Sequence, residues 1–156
     1  MTDNRPILMD VTRVLRRMGH RHTGIDRVEQ AWLTYLANHN SPAMGFMRSH
    51  YGYGLIPKSG LARLSRSQHT KPTIWRPMLM LPNLLKYVPA DSIYLNVGHS
   101  NLTQRVVTAL RNSAMGPLAV MVHDAIPLDY PHLQRPGANN RFRSFLRQAE
   151  RVDHII

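Results

Sequence analysis

The sequence predicts an α/β fold in which a Rossmann-like parallel sheet is flanked by helices. Short apolar runs alternate along the chain with segments whose apolar residues recur at helical spacing, a pattern typical of repeated βαβ units. Residues 118–122 are apolar throughout, as expected for a strand that is buried on both faces. This run ends abruptly in His123 and Asp124, and ligands of open α/β sheets bind at the carboxyl ends of strands. His123 and Asp124 are therefore the first candidates for a functional site.

Further apolar runs predict the other strands of this sheet. They lie at residues 6–11, 43–48 and 92–97, and a last strand is expected to begin within residues 152–156. The stretch from residue 50 to residue 90 is poorly periodic and holds five prolines, so it predicts only short helices at residues 78–81 and 84–85.

Three longer helices are expected between the strands. The first begins at Thr23, because Thr23 followed three residues later by Asp26 forms a capping-box pattern. The second is expected to be capped by Ser100 or Asn101, and the third to span residues 139–150. Their predicted apolar faces are Ile25, Val28, Trp32, Tyr35 and Leu36; Leu102, Val106, Ala109 and Leu110; and Phe142, Phe145, Leu146 and Ala149.

Length and composition restrict the class of protein. A chain of 156 residues suits one domain, predicted here as residues 1–156. It contains no cysteine, which excludes disulfides and thiolate metal sites. The amino terminus lacks the apolar core of a signal peptide, and no run approaches the roughly 18–20 apolar residues that span a bilayer. We therefore expect a soluble, cytoplasmic protein, with peripheral contact to the inner membrane face as an extension of that hypothesis.

The net charge of +11 comes mainly from arginine and predicts an anionic partner. Nucleic acid, phosphorylated substrates and an acidic membrane surface all fit such a charge. Four arginines, Arg13, Arg16, Arg17 and Arg21, cluster between the first strand and the first long helix. Two interpretations are open: the cluster is a solvated connection, or it faces an anionic membrane or phosphorylated acceptor, where each arginine contributes about 1 kcal/mol.

Polar residues at other strand ends extend the candidate site. A glycine turn between a strand and a helix can bind phosphate, which makes Thr23 and Gly24 binding candidates. Asn96, His99 and Ser100 lie at the carboxyl end of the strand at residues 92–97 and are expected at the same edge of the sheet. Structural interpretations stand beside these: an ordinary helix start at Gly24, and a turn in which Asp124 holds the backbone amide of Ile126.

Four sequence blocks, at residues 7–13, 23–29, 122–128 and 151–156, occur in an order that resembles a known family. They are Ile-Leu-Met-Asp-Val-Thr-Arg, Thr-Gly-Ile-Asp-Arg-Val-Glu, Val-His-Asp-Ala-Ile-Pro-Leu and Arg-Val-Asp-His-Ile-Ile. The series resembles the amino-terminal half of bacterial family 4 glycosyltransferases, which are retaining enzymes of the GT-B type.

The resemblance implies an acceptor-side Rossmann-like domain that faces a donor domain across a cleft. It implies that Gly24 approaches the diphosphate of a nucleotide-sugar donor and that His123, followed by Asp124, lies beside the transferred sugar. It implies a glycan or lipid-linked acceptor, and no metal or cofactor, since the nucleotide-sugar is a co-substrate.

The sequence departs from the family pattern in one large respect. The chain contains no Glu-x7-Glu motif and no donor domain. Because the diphosphate leaving group needs positive groups from that domain, the chain alone is expected to be inactive, as a truncated fragment or as a partner of a separate donor-domain chain. The apolar end at residues 155–156 favours truncation. A basic nucleic-acid-binding module, for which the chain has no recognised motif, and an inert remnant remain the alternatives.

Overall fold

The computed structural model of the chain describes residues 4–66 and 76–156 and shows one seven-stranded sheet. Its strands are β1 (Ile7–Asp10), β2 (Ala43–Ser49), β3 (Gly52–Ile56), β4 (Arg76–Leu79), β5 (Ile93–Asn96), β6 (Leu118–Val120) and β7 (His154–Ile155). The strand order across the sheet is β4-β3-β2-β1-β5-β6-β7. Strands β2, β1, β5, β6 and β7 are parallel neighbours, whereas β3 runs antiparallel to both β2 and β4.

Helices cover both faces of the sheet. They are α1 (Thr12–Arg16), α2 (Gly24–Asn38), α3 (Lys58–Arg66), α4 (Leu81–Leu85), α5 (Gln104–Arg111), α6 (Ile126–Asp129) and α7 (Ala138–Ala149), with a 3-10 turn at Pro131–Leu133. Helices α1 to α3 pack on one face, and α4, α5 and α7 pack on the other, each against its own apolar cluster. The predicted α/β architecture with a mostly parallel, Rossmann-like sheet is confirmed. No helix in the described ranges has the length and apolar character needed to cross a bilayer.

The region from residue 50 to residue 90 contains the main differences from the predicted elements. Residues 76–79 form edge strand β4, so the short helix expected at residues 78–81 is wrong, whereas α4 does include residues 84 and 85. An apolar run of four residues fits either structure, and only its pairing with β3 decides between them. The hairpin from β2 to β3 turns at Gly52, whose φ of 132° favours glycine.

Helix α2 begins where its capping pattern predicts. The Thr23 hydroxyl accepts a hydrogen bond from the Asp26 backbone N–H, and the Asp26 carboxylate accepts one from the Thr23 N–H at 2.6 Å. Helix α7 also lies close to its predicted range. Helix α5, however, is capped by Thr103 and not by Ser100 or Asn101, because Asn101 has a left-handed backbone with φ of 63° and its side chain bonds elsewhere.

Replacing Thr23 with alanine is expected to destabilise the protein by about 1 kcal/mol, because the Asp26 backbone N–H in the first turn loses its side-chain acceptor. Urea denaturation monitored by circular dichroism measures this change. Thr34→Ala is the matched control, since Thr34 lies within the same helix, is exposed and bonds only to the Gln30 carbonyl. Equal losses for the two variants would show that the cap contributes nothing.

Candidate functional site

The carboxyl ends of β1, β5 and β6 meet at one edge of the sheet, because these strands are parallel neighbours. We call this the polar edge and define it by residues 10–13, 96–101 and 121–124, together with the start of α2 at residues 23–29. It contains most of the residues predicted from the sequence.

A buried carboxylate, Asp10, forms hydrogen bonds to several segments of the polar edge. Asp10 is 2% exposed and accepts hydrogen bonds from the Thr12 backbone N–H, the Tyr94 hydroxyl and the Asn101 side-chain amide, each at 2.9 Å. Burial raises the pKa of Asp10 above its usual range, and the hydrogen bonds from Asn101, Thr12 and Tyr94 oppose that shift. The carboxylate therefore joins β1 to β5 and to the loop at residues 97–101.

Asn96 extends this network but does not reach the surface. Its side-chain N–H group donates to the Tyr94 oxygen at 3.1 Å and to the Ser100 carbonyl at 2.7 Å, and the residue has 0% exposure. Asn96 was expected to contact substrate, but this burial leaves none of its surface accessible. Its side chain instead stabilises the loop at residues 97–101 through the Ser100 carbonyl. Ser100 lies in the loop with its carbonyl already bonded to Asn96.

The loop at residues 97–101 has a strained backbone. His99 and Asn101 have φ values of 57° and 63°, in the left-handed region that non-glycine residues seldom adopt. Such residues cost of the order of 1–3 kcal/mol and persist only where their surroundings fix them. Here the bonds from Asn101 to Asp10 and from Asn96 to Ser100 do so.

Two histidines meet at the end of β6. The His123 backbone N–H donates to His99 Nε2 at 3.1 Å, and the two ring centroids lie 4.8 Å apart. His123 Nε2 lies 2.7 Å from the Val97 carbonyl. Since a carbonyl only accepts, Nε2 carries the hydrogen, and Nδ1 is the ring nitrogen left for a ligand.

His99 fixes His123 in place. Burial, and then the neighbouring His123, lower the pKa of His99 to about 4, against the effect of its backbone hydrogen bond with Met121. His99 is therefore neutral near pH 7, with one ring nitrogen bonded to His123 and the other to Met121. Its ring also packs against Phe145, at a centroid distance of 4.5 Å. These contacts give His99 a supporting role, and its contact with a ligand stays a prediction.

Acid should weaken the fold through His99. The unfolded chain binds a proton at this histidine near pH 6.5, whereas the folded protein binds it only near pH 4, so its contribution to stability is lost as the pH falls from 6.5 to 4. When the pH is lowered from 7 to 5, we expect protonation of His99 in the unfolded chain to reduce the unfolding free energy by about 1–2 kcal/mol. Urea denaturation at both pH values, for wild type and His99→Asn, measures the difference, and asparagine tolerates the left-handed backbone.

Glu29 changes stability in the opposite direction over part of this interval, because its pKa is raised. Both proteins contain Glu29, so the wild-type minus variant difference isolates His99. The same pH dependence in both proteins would contradict the role assigned to His99.

A second charged cluster lies at the start of α2. The Arg13 guanidinium donates to Asp26, to Glu29 at 2.7 Å and to the Thr23 hydroxyl at 3.2 Å. Burial opposes ionisation of Asp26, but hydrogen bonds from Thr23 and the charge of Arg13 hold its pKa at about 2. Glu29 is 1% exposed, and its burial outweighs Arg13 and raises its pKa to about 7. Arg13 thus links α1 to the first turns of α2.

This cluster changes the interpretation of the four arginines. Arg13 is bonded to two carboxylates, and Arg17, whose side chain is 35% exposed, donates to Asp26 at 3.3 Å, so both arginines are engaged within the chain. Arg16 and Arg21 are exposed. For this part of the surface, the hypothesis of an anionic partner therefore rests on Arg16 and Arg21.

Gly98 brings the two clusters into contact. A Cβ atom at Gly98 would lie 2.1 Å from Glu29 Oε1 and 3.2 Å from the Arg13 Cβ. The start of α2 therefore lies against the loop that carries His99, which in turn holds His123.

The other predicted site residues are more exposed. Gly24 is exposed, and nothing lies within 4 Å of a Cβ placed there. Asp124 is exposed and accepts a hydrogen bond from the Ile126 N–H at 3.1 Å, which confirms the turn interpretation.

Sequence reasoning missed the residues that support this site. For Glu29 the sequence did contain a sign of burial. Glu29 lies at helical spacing from Leu33 and Leu36 and so falls on the buried face of α2, where an apolar side chain is the norm. Asp10 and Tyr94 carried none, since each lies in a mostly apolar segment and the two residues, which bond to each other, are 84 residues apart.

Within residues 4–66 and 76–156, no group of three or more His, Asp or Glu side chains lies close enough together to hold a metal ion. Comparison with known proteins found no match to a family model, to a curated protein or to a solved structure.

Proposed function

We propose that this chain is the acceptor-side, Rossmann-like half of a retaining GT-B-type glycosyltransferase, which transfers a sugar from a nucleotide-sugar to a glycan or lipid-linked acceptor. One observation carries the proposal: the turn at Thr23 and Gly24 and the ring of His123 belong to one edge of the sheet, joined through Arg13 and the loop at residues 97–101. The resemblance of the four sequence blocks assigns these same positions to the donor diphosphate and the transferred sugar.

The proposed roles follow from what each position offers. Gly24 begins a 15-residue helix, and the open space beside it suits a diphosphate held by the amino-terminal N–H groups of α2. His123 presents Nδ1, which can bond to a sugar hydroxyl, while the Val97 carbonyl and His99 fix its orientation. The positive groups that stabilise the leaving diphosphate are assigned to a donor-binding domain outside residues 1–156, because these residues contain no Glu-x7-Glu motif.

Ligand binding by the purified chain tests this proposal. Saturation-transfer NMR with a panel of nucleoside diphosphates, free sugars and polyprenyl-phosphate-linked sugars should show binding of at least one member. We expect Gly24→Val to remove the nucleotide signal and His123→Ala to remove the sugar signal.

Matched controls are present in the chain. Ala31→Val places the same side chain at an exposed site within α2, and His154→Ala removes an exposed histidine from β7. Binding that survives both site substitutions, or no binding of any sugar or nucleotide, would overturn the proposal.

A further inference from the structure

Three large apolar side chains project into solvent from one short segment. Ile126 is 49% exposed, Tyr130 52% and Leu133 71%. They belong to α6 and the 3-10 turn that follows it, which we call the 126–133 ridge. Single exposed apolar residues are common, but three in eight residues form a patch of the kind that marks an interaction site.

Arginines border this ridge. The Asn139 side chain donates to the Pro127 carbonyl at 2.7 Å and accepts from Arg143 Nε at 2.8 Å, which places Arg143 beside α6. Arg147 follows four residues later on the same side of α7, and Arg135 lies in the link between the 3-10 turn and α7.

The charge of these arginines is largely uncompensated. Arg143 bonds to Asn139 and Arg147 bonds to Ser144, both neutral partners. Residues 126–149 contain Arg135, Arg141, Arg143 and Arg147 but a single carboxylate, Asp129. In the described part of the chain, none of these four arginines forms a salt bridge.

We propose that the 126–133 ridge and the flanking Arg135, Arg143 and Arg147 dock on the surface of an anionic phospholipid bilayer. Interfacial binding combines burial of apolar side chains in the headgroup region with attraction of arginines to anionic lipid, and this surface supplies both. Single-stranded nucleic acid fits less well, because it stacks on aromatic rings, and the most exposed residue of the ridge is the aliphatic Leu133. The docking requires no transfer chemistry, so it holds or fails independently of the proposed function.

Vesicle co-sedimentation of the whole chain tests this surface. Binding is measured on phosphatidylcholine vesicles with and without phosphatidylglycerol, at low and high salt. We expect binding that requires phosphatidylglycerol and weakens with salt. The double variant Arg143→Gln, Arg147→Gln should bind about 25-fold more weakly, about fivefold for each arginine, and Leu133→Ser about tenfold more weakly.

Two double variants with the same charge change serve as controls. Arg63→Gln, Arg66→Gln alters exposed residues of α3 on the opposite face of the sheet and should bind as wild type does. Arg16→Gln, Arg21→Gln tests the other exposed basic cluster. All substitutions are at exposed positions, and unchanged circular dichroism melting confirms folding.

Several results would overturn the proposal: no binding to anionic vesicles, equal losses for the α3 variant, or a loss confined to the Arg16 and Arg21 variant. It is also overturned if vesicle binding is insensitive to Leu133→Ser while an RNA oligonucleotide binds with the same dependence on Arg143 and Arg147. That last result would identify nucleic acid as the partner.

Discussion

Asp10→Ala is expected to lower the unfolding free energy by about 3–5 kcal/mol, because three hydrogen-bond donors lose one buried acceptor. The substitution leaves the Thr12 N–H, the Tyr94 hydroxyl and the Asn101 amide without their shared acceptor at a site with 2% exposure. Each buried donor left unpaired costs about 1–3 kcal/mol. Urea denaturation measures the loss.

Three companion variants make this result interpretable. Tyr94→Phe removes one donor and should cost about 1 kcal/mol, while Asp10→Asn keeps one acceptor oxygen and should fall between the two. Asp129→Ala removes an exposed carboxylate and should change stability by less than about 0.5 kcal/mol. A loss for Asp10→Ala no greater than that for Asp129→Ala would show that the buried network contributes nothing.

Gly98→Ala is expected to cost about 2–3 kcal/mol through a steric clash. The new methyl group would lie 2.1 Å from Glu29 Oε1 and 2.9 Å from Glu29 Cδ. Glu29 has little room to move, because it is 1% exposed and bonded to Arg13 at 2.7 Å. Thermal and urea unfolding of the variant give the change in free energy.

A double-mutant cycle with Glu29→Ala identifies the cause. Truncating Glu29 makes room for the methyl group, so Gly98→Ala should cost at least about 1 kcal/mol less in that background. Gly24→Ala is the matched control, because its methyl group would enter open space and should stabilise slightly, if at all. Additive losses from Gly98→Ala and Glu29→Ala would exclude the contact as the reason.

The main strands were predictable because each is a short segment made mostly of apolar residues. Residues 118–122 and 92–97 need no partner to be recognised as buried, and parallel pairing then places His123 at the same edge as the end of β5. Strand β4 was not predictable, because its backbone state depends on pairing with β3 and not on its own short pattern.

The supporting network of the site could not be predicted, for a related reason. A single polar residue in an apolar run gives no local sign of its partner, and Asp10 bonds to Asn101, which is 91 residues away in sequence. From the sequence alone, Arg13 and Arg16 are also indistinguishable members of one basic cluster. Only the approach of α1 to α2 shows that Arg13 pairs with carboxylates, whereas Arg16 remains exposed.

The position of β1 in the centre of the sheet has a consequence for biosynthesis. Asp10 leaves the ribosome early, but its hydrogen-bond partner Tyr94 follows 84 residues later. At bacterial to eukaryotic elongation rates, roughly 4–17 s pass before β5 emerges, and during this time the edge of β1 that pairs with β5 has no partner. During that interval the nascent strand exposes apolar side chains and free amide groups. Chaperone binding to the nascent chain, followed by slow completion of these distant contacts, is the expected folding route.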